Sequence, residues 1–352
     1  LPIIGYCTEE EGMELPVIGD LSWSPDSQHI AFSTDRGTGE NDIWLIHPDG
    51  TGLEPIVIGS FDEFGPGWSP DSSAIYFLSN RTGNGRLWKK NLTTGALTQV
   101  FDKALGGYAI SHGGDLIAVE VHRETSWGVI IISAATGEEL RWLATNAYSP
   151  SWSPDDRKIS FLRRDNLWVI NNDRSDLQQI TNFTEDDPVI GSVDWGSSGF
   201  IAFTQNGRIY KIRTDGSGLT CIYQDADIDG WAESPVWSPN GSRLAFIRHQ
   251  WDAVEIWAIN TDGTGLTQIT HTVATPTFSP EGGEYTGAQT VTIGCATPGA
   301  VIRYTTDGTD PTESSPIYSS PVTVDASKIL KAKAWKTDYF PSFTASADYV
   351  IQ

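Results

Sequence analysis

The stretch Trp68-Ser69-Pro70-Asp71, followed by the apolar run Ile75-Tyr76-Phe77, is one of six similar segments that decide the fold. A tryptophan ends one strand, a Ser-Pro-Asp turn reverses the chain, and a second strand begins. The other copies are anchored at Trp23, Ile110, Trp152, Trp195 and Trp237. Successive anchors are 45, 42, 42, 43 and 42 residues apart. A period of this length is typical of four-stranded blades and predicts a six-bladed β-propeller.

Each repeat continues with a third apolar strand and a glycine-containing hairpin turn before its outer strand. In the first repeat, Asn41–Ile46 is the predicted third strand and Pro48–Gly52 the turn, where glycine supplies a positive φ. Nine of the 14 tryptophans occupy anchors or third strands: Trp23, Trp68, Trp152, Trp195, Trp237, Trp44, Trp88, Trp168 and Trp257. We expect these nine to pack between blades, because each buries a large apolar surface.

The repeated phrase resembles the TolB-type propeller repeat over residues 15–272, and residues 1–14 belong to no blade. Propellers of this kind serve as protein-binding platforms and as gating domains of prolyl-oligopeptidase-type enzymes. The resemblance therefore implies a fold more strongly than an activity.

The repeated phrase does not occur from Pro276 to Gln352. Four short segments there alternate apolar and polar residues, as strands of a β-sandwich do. This part resembles the immunoglobulin-like domain at the C-terminus of chitobiase and β-hexosaminidase. The segments that carry the resemblance include Tyr304–Thr312 and Leu330–Ala334. That domain is an accessory without catalytic residues. The resemblance implies an all-β chain with a small second domain, in a secreted or surface protein of bacterial type.

The charge of the chain is strongly acidic, with a net value of −22. Of the charged side chains, 37 acidic and 18 basic ones precede Pro276, which gives that part a net charge of −19. Such a surface disfavours nucleic acid, because phosphate contacts need basic residues, and it favours cations or a basic partner.

Two features bear on where the protein resides. No run of eighteen apolar residues is present, so we expect no membrane span. The sequence starts at Leu1 without a signal-peptide pattern, from which we expect a processed or trimmed start. We predict an extracellular, cell-surface or periplasmic location.

The irregular loops of the repeat are predicted to share one end of the propeller. They are the second-to-third-strand and fourth-to-first-strand connections, and we call this end the irregular-loop face. Binding residues concentrate on variable loops over a rigid scaffold. The predicted partner-binding residues on this face are Trp127, Trp231, Trp251, Asp62, Glu63, Asp186 and Asp187. The partner class stays open between a protein and a carbohydrate.

One acidic loop carries a metal-type pattern. Asp225, Asp227 and Asp229, followed by Gly230, match the D-x-D-x-D-G start of an EF-hand-type loop, and Glu233 stands at the ninth position. The twelfth position is valine, so the usual bidentate glutamate is missing. Two interpretations stay open, a Ca²⁺ site with these four ligands and a solvated acidic loop.

The sequence offers no catalytic motif. A G-x-S-x-G nucleophile elbow is missing, and 77 residues after the propeller are too few for an α/β-hydrolase domain. No motif selects the carboxylate pair that a glycosidase needs. We therefore predict a non-catalytic binding protein that uses the irregular-loop face, and calcium assistance stays open between the two interpretations of the loop. The alternative is a structural subunit of a filament or surface layer, assembled through residues 1–14 and the C-terminal domain.

Overall fold

The computed structural model describes residues 17–36, 39–83, 85–103, 105–123, 126–184, 189–226, 230–250 and 253–352. These residues form strands and turns, and they include no helix that could cross a membrane. Several predicted features lie outside the described residues: the segment 1–14, Asp186, Asp187, Asp227, Asp229 and Trp251.

The first unit of the chain ends at Ile269 and contains six four-stranded antiparallel sheets. Blade 1 consists of β1 (Ile18–Trp23), β2 (Ile30–Thr34), β3 (Asp42–Ile46) and β4 (Glu54–Val57). Blade 2 consists of β5 (Glu63–Trp68), β6 (Ala74–Ser79), β7 (Arg86–Asn91) and β8 (Leu97–Phe101). Blade 3 consists of β9 (Leu105–Ile110), β10 (Leu116–Arg123), β11 (Ser126–Ser133) and β12 (Glu139–Thr145).

The second half of this unit repeats the pattern. Blade 4 consists of β13 (Tyr148–Trp152), β14 (Lys158–Arg163), β15 (Asn166–Asn171) and β16 (Gln178–Gln179). Blade 5 consists of β17 (Val189–Trp195), β18 (Phe200–Gln205), β19 (Arg208–Arg213) and β20 (Thr220–Tyr223). Blade 6 consists of β21 (Trp231–Trp237), β22 (Arg243–Gln250), β23 (Ala253–Asn260) and β24 (Thr267–Gln268).

The inner strands form a closed ring. Each of β1, β5, β9, β13, β17 and β21 contacts the inner strands of both neighbouring blades, and β21 contacts β1. The predicted six-bladed propeller is therefore confirmed. The repeated Ser-Pro-Asp turns lie at one end of this ring, and the irregular-loop face lies at the other.

Apolar side chains of the second strands form the cores between blades. The fully buried phenylalanines of these strands are Phe32, Phe77, Phe161, Phe203 and Phe246. Burying each contributes about 2 kcal/mol relative to exposure. The five anchor tryptophans are at most 9 % exposed, as predicted.

The anchor tryptophans also link one blade to the next. The Trp68 indole N–H donates to the Ser22 carbonyl at 3.1 Å, and that of Trp152 donates to the Ala109 carbonyl at 3.0 Å. In the same way, the Trp237 indole N–H donates to the Asp194 carbonyl at 3.1 Å. At Trp68, Trp152 and Trp237, the anchor thus combines apolar burial with a directed hydrogen bond across the blade interface.

The second unit, Thr270–Gln352, has two sheets. One consists of β25 (Thr277–Ser279), β27 (Gln289–Gly294) and β29 (Val322–Val324). The other consists of β26 (Gly283–Tyr285), β31 (Ala345–Ile351), β30 (Lys328–Trp335) and β28 (Val301–Thr305). Val291, Val324, Leu330 and Tyr349 pack in its core, so this part is the predicted small all-β domain.

Candidate functional site

The six inner strands enclose a cavity of about 630 Å³, which we call the central channel. Three carboxylates line it, those of Asp20, Glu120 and Asp194. Among the described lining residues there is no lysine or arginine, and His112 is the sole basic side chain. The channel is therefore a concentration of negative charge inside the propeller.

A β-bulge in each inner strand shapes the channel. Three residues before the anchor, the backbone is left-handed at Asp20 (φ 32°), Gly65 (φ 60°), Ser149 (φ 51°) and Ser234 (φ 54°). Such a bulge re-aims the residue that it contains. Aspartate tolerates this conformation better than most residues, which accounts for its presence at position 20.

Asp20 keeps an exposed side chain although it lies within the ring of strands. Desolvation raises its pKa above the ordinary value, and the nearby carboxylate of Glu233 raises it further. A hydrogen bond from the Gly65 N–H acts in the opposite direction. The free energy of ionising Asp20 would fall if a cation entered beside it.

Glu120 comes from β10 and accepts a hydrogen bond from the backbone N–H of Ser149 in the next blade. Burial raises its pKa to about 7, the Ser149 hydrogen bond lowers it, and the charge of Asp20 raises it. Its carboxyl group therefore changes protonation near neutral pH.

Asp194 holds blades 5 and 6 together. Its Oδ2 accepts the backbone N–H of Trp237 at 2.7 Å, and its carbonyl accepts the Trp237 indole. Burial raises the pKa of its carboxyl group, and the hydrogen bond from the Trp237 backbone N–H, the charge of His112 and the Ser151 hydroxyl lower it. Asp194 thus adds negative charge to the channel while stabilising a blade interface.

The irregular-loop face carries the acidic mouth of the channel. Asp20 and Glu233 stand three and four residues before their anchors, close to where the inner strands leave that face. Glu233 Oε1 lies 2.7 Å from Nε2 of His249. Trp231 is 43 % exposed and stacks on His249, with ring centroids 4.5 Å apart. One predicted tryptophan therefore lies exposed beside this mouth.

Trp127 is the second residue of β11, on the same face, and is half-buried. Its ring centroid lies 5.1 Å from that of His122. It lines a separate cavity between blades 3 and 4. Trp127 and Trp231 thus occupy different positions on the irregular-loop face.

The acidic pair Asp62 and Glu63 has a structural role in this face. Asp62 accepts hydrogen bonds from Asn41 and Asn80. Glu63 is fully buried, 2.6 Å from Arg81 and 2.9 Å from the Ser79 hydroxyl. The expectation that Glu63 is part of the exposed rim is wrong, because this strand turns its side chain inward onto Arg81.

The described ligands of the predicted calcium loop are held by basic side chains. Asp225 is buried, with Oδ2 2.6 Å from Arg248 Nε and Oδ1 2.9 Å from Nη2. Tyr223 donates a further hydrogen bond to Asp225 at 2.9 Å. Asp225 therefore does not fit a metal ligand while Arg248 holds both of its oxygens. Within the described ranges, no three His, Cys, Asp or Glu residues are grouped to hold a metal.

The channel carboxylates were not singled out from the sequence. Asp20 stands where other repeats have glycine or serine, so a signal existed in the aligned repeats. Glu120 and Asp194 also stand where no other repeat has an acidic residue. The repeats do not show, however, that ring closure brings the three carboxylates to one channel.

Two family models match the chain. Residues 17–185 match the TolB beta propeller domain, and residues 280–346 match the chitobiase/beta-hexosaminidase C-terminal domain. Both resemblances inferred from the sequence are thereby confirmed over these residues.

Individual proteins support the same architecture. The chain is 25 % identical over 247 residues to an uncharacterised protein of Agrobacterium fabrum, covering 62 % of this chain and 82 % of that one. A TolB structure from Agrobacterium tumefaciens has a TM-score of 0.54 at 18 % identity, covering 62 % and 84 % of the two chains. An oligogalacturonate lyase structure from Vibrio parahaemolyticus has a TM-score of 0.51 at 15 % sequence identity. The match covers 71 % of this chain and 76 % of the lyase chain. At these identities the two structural likenesses establish the fold alone.

Proposed function

We propose that this protein is a non-catalytic binding protein, and that a basic segment of a protein partner docks on the irregular-loop face at the mouth of the central channel. The observation that carries the proposal is the lining of the channel. Asp20, Glu120 and Asp194 face one cavity, and the described lining includes no lysine or arginine to neutralise them.

The electrostatics favour a cationic partner. Desolvation by the surrounding protein raises the pKa of Asp20, Glu120 and Asp194, so each carboxylate has lost part of its hydration, including Asp20, which is accessible to solvent from the channel. An ammonium or guanidinium group at the mouth would offset that loss. Clefts lined by one sign of charge also concentrate oppositely charged ligands and increase their association rates.

Trp231 supports docking at the same place. Its exposed ring is held against His249, and it lies beside the Glu233 carboxylate. Rigid, partly exposed tryptophans are common among the residues that dominate interface energies.

The lack of a catalytic motif and the TolB-like architecture support the non-catalytic part of the proposal. The TolB-type match supports a periplasmic location, which we propose among the predicted extracellular, cell-surface and periplasmic options. The oligogalacturonate lyase shares the fold, which on its own assigns no lyase activity to this chain.

A labelled hexalysine peptide tests the proposal by fluorescence anisotropy at low ionic strength. We expect the double variant Asp20→Asn, Glu120→Gln to bind about ten-fold more weakly than the wild type. The matched control is Asp215→Asn, Asp262→Asn, which removes the same charge from hairpin turns at the opposite end of the propeller and should change the affinity less than about two-fold.

Equal weakening by the two double variants would show that only the net charge matters and would contradict the proposal. Absence of hexalysine binding to the wild type at low salt would contradict it as well.

A further inference from the structure

A second cavity of about 430 Å³ lies on the irregular-loop face between blades 3 and 4. Its lining residues are Gly106, Glu120, Trp127, Asn146, Tyr148 and Arg164. Trp127 is the second residue of β11, Asn146 lies between β12 and β13, and Arg164 lies between β14 and β15. Asn146 and Arg164 therefore lie in irregular-loop connections and Trp127 lies beside one, and the volume is in the range of small-molecule sites. We call this cavity the side pocket.

Two aromatic rings form the walls of the side pocket. Trp127 packs against His122 with an interplanar angle of 60°. The Tyr148 hydroxyl donates to Asp165 Oδ1 at 3.1 Å, which fixes the orientation of the ring. Both rings are half-buried. Held rings of this kind offer flat apolar surface at little cost in conformational entropy.

The floor of the side pocket is formed at Gly106, which has no side chain. A Cβ atom on Gly106 would lie 2.5 Å from Glu120 Oε2 and 3.2 Å from Trp127 Cζ3. Glycine at this position therefore lets the carboxyl group and the indole lie next to each other. Burial raises the pKa of Glu120 to about 7, so the group can act both as acceptor and as donor near neutral pH.

The rim supplies donors. Arg164 and Asn146 are exposed and have left-handed backbones, with φ of 49° and 52°. Within the described parts of the chain, neither the Arg164 guanidinium nor the Asn146 carboxamide has a hydrogen-bond or ion-pair partner. Among the described residues, both groups therefore keep unused hydrogen-bonding capacity.

We propose that the side pocket binds a neutral saccharide, with one pyranose ring against Trp127 and Tyr148. Its hydroxyl groups donate to Glu120 and accept from Arg164 and Asn146. Arg164 disfavours a cation in the pocket, and Glu120 disfavours an anion. A neutral ring with apolar faces and polar edges uses every lining group. The saccharide site goes beyond the proposed docking of a basic segment and does not require it, although Gly106 and Glu120 line both the side pocket and the central channel.

Isothermal titration with cellohexaose, maltohexaose and chitohexaose tests the inference. We expect the wild type to bind at least one of them, and we expect Trp127→Ala and Gly106→Ala each to weaken that binding about ten-fold or more. Phe61→Ala is the matched control, because it removes an exposed aromatic ring from the irregular-loop connection between β4 and β5, outside the pocket. It should leave saccharide binding unchanged. Arg164→Ala is a further variant at an exposed position, and it should weaken binding even if Gly106→Ala fails to fold.

Failure of all three saccharides to bind the wild type would overturn the inference. Equal weakening by Phe61→Ala and Trp127→Ala would also overturn it. Dependence of hexalysine binding on Trp127 and Gly106, without saccharide binding, would identify the pocket as a cation site instead. Hexalysine binding that persists and depends on Asp20 would leave the proposed function standing while the saccharide inference fails.

Discussion

At the residue scale, the Ser-Pro-Asp turn explains why the repeat has its sequence. The Ser69 hydroxyl donates to Asp71 Oδ1 at 2.7 Å and accepts the Ala74 N–H at 2.9 Å. Asp71 Oδ1 also accepts the Ser73 N–H at 3.0 Å. Ser238 and Asn240 make the corresponding contact at 2.9 Å in blade 6. An acceptor oxygen at this position is therefore required, and a charge is not.

Asp71 gives a prediction about acid stability. The hydrogen bond from Ser69 lowers its pKa from 3.8 to about 2, with further contributions from Ser73. Its carboxylate stabilises the folded state above the unfolded-state pKa, and that stabilisation is lost as the pH falls from about 4 to about 2. We expect Asp71→Asn to unfold at a lower urea concentration than the wild type at neutral pH, because the charged acceptor is missing, and to lose less stability over this acid range.

Urea unfolding followed by tryptophan fluorescence at several pH values measures the effect. The reciprocal variant Asn240→Asp is the control, and it should acquire an acid dependence that the wild-type turn lacks. Parallel stability curves for the wild type and Asp71→Asn would contradict the expectation.

The sequence predicted buried side chains better than charged ones. The anchor tryptophans are buried because the repeat places them at an interface in every blade. Glu63 was misplaced because its neighbours in sequence are acidic and loop-like, whereas its actual surroundings are Arg81 and Ser79. The register in which two strands pair determines which side chains meet across them. The local sequence pattern does not reveal that register, so it does not identify the ion-pair partner of Glu63.

At the element scale, the inner-strand bulges were not visible in the apolar periodicity. Ser149 adopts a left-handed backbone at a cost of about 1 kcal/mol. Its hydroxyl donates to the Gly191 carbonyl of blade 5 at 2.8 Å. Its N–H donates to Glu120 of blade 3. One bulge thus connects three blades and positions a channel carboxylate.

The loop 225–233 gives a prediction about calcium. We propose that Arg248 limits the calcium affinity of this loop by holding both oxygens of Asp225. Arg248→Gln would leave a buried carboxylate without its ion-pair partner, and we expect a lower melting temperature in EDTA. Added Ca²⁺ should then raise the melting temperature of this variant more than that of the wild type, because the ligand binds the folded state.

Adding Asp227→Asn to Arg248→Gln is the control, and it should abolish the response to Ca²⁺. Mg²⁺ at the same concentration should have a smaller effect, because it demands stricter octahedral geometry. A Ca²⁺-independent melting temperature in Arg248→Gln would contradict an EF-hand-type site and favour the solvated acidic loop.

At the scale of the whole molecule, the period of the repeat predicts six blades but does not say how the ring closes. Each described blade is built from four consecutive strands, so the closure between blades 1 and 6 relies on side chains among the residues described. Arg36, just after β2, lies 3.2 Å from Glu255 of β23, and both side chains are buried. Arg36 also donates to the Val254 carbonyl.

The long-range nature of this pair explains why the sequence did not reveal it. The two residues are separated by 219 positions, and neither belongs to the repeated phrase. Repetition makes every blade interface look equivalent in sequence. The interface between the first and last blades differs because no single stretch of chain connects the two blades.

The closing ion pair gives a prediction about global stability. Glu255→Gln leaves the Arg36 guanidinium buried without its carboxylate, and we expect a loss of about 3–5 kcal/mol in the free energy of unfolding. The double variant Arg36→Met, Glu255→Leu removes both charges and should recover most of that loss, because well-packed apolar residues often replace a buried pair without penalty.

Hydrogen exchange shows whether the loss comes from opening of the ring. In Glu255→Gln we expect protection to fall in β1 and β23 and to persist in β14, on the opposite side of the propeller. A uniform loss of protection would place the destabilisation in the whole propeller instead of its closure. Retention of wild-type stability by Glu255→Gln would show that contacts between β1 and β21 are sufficient to hold blades 1 and 6 together.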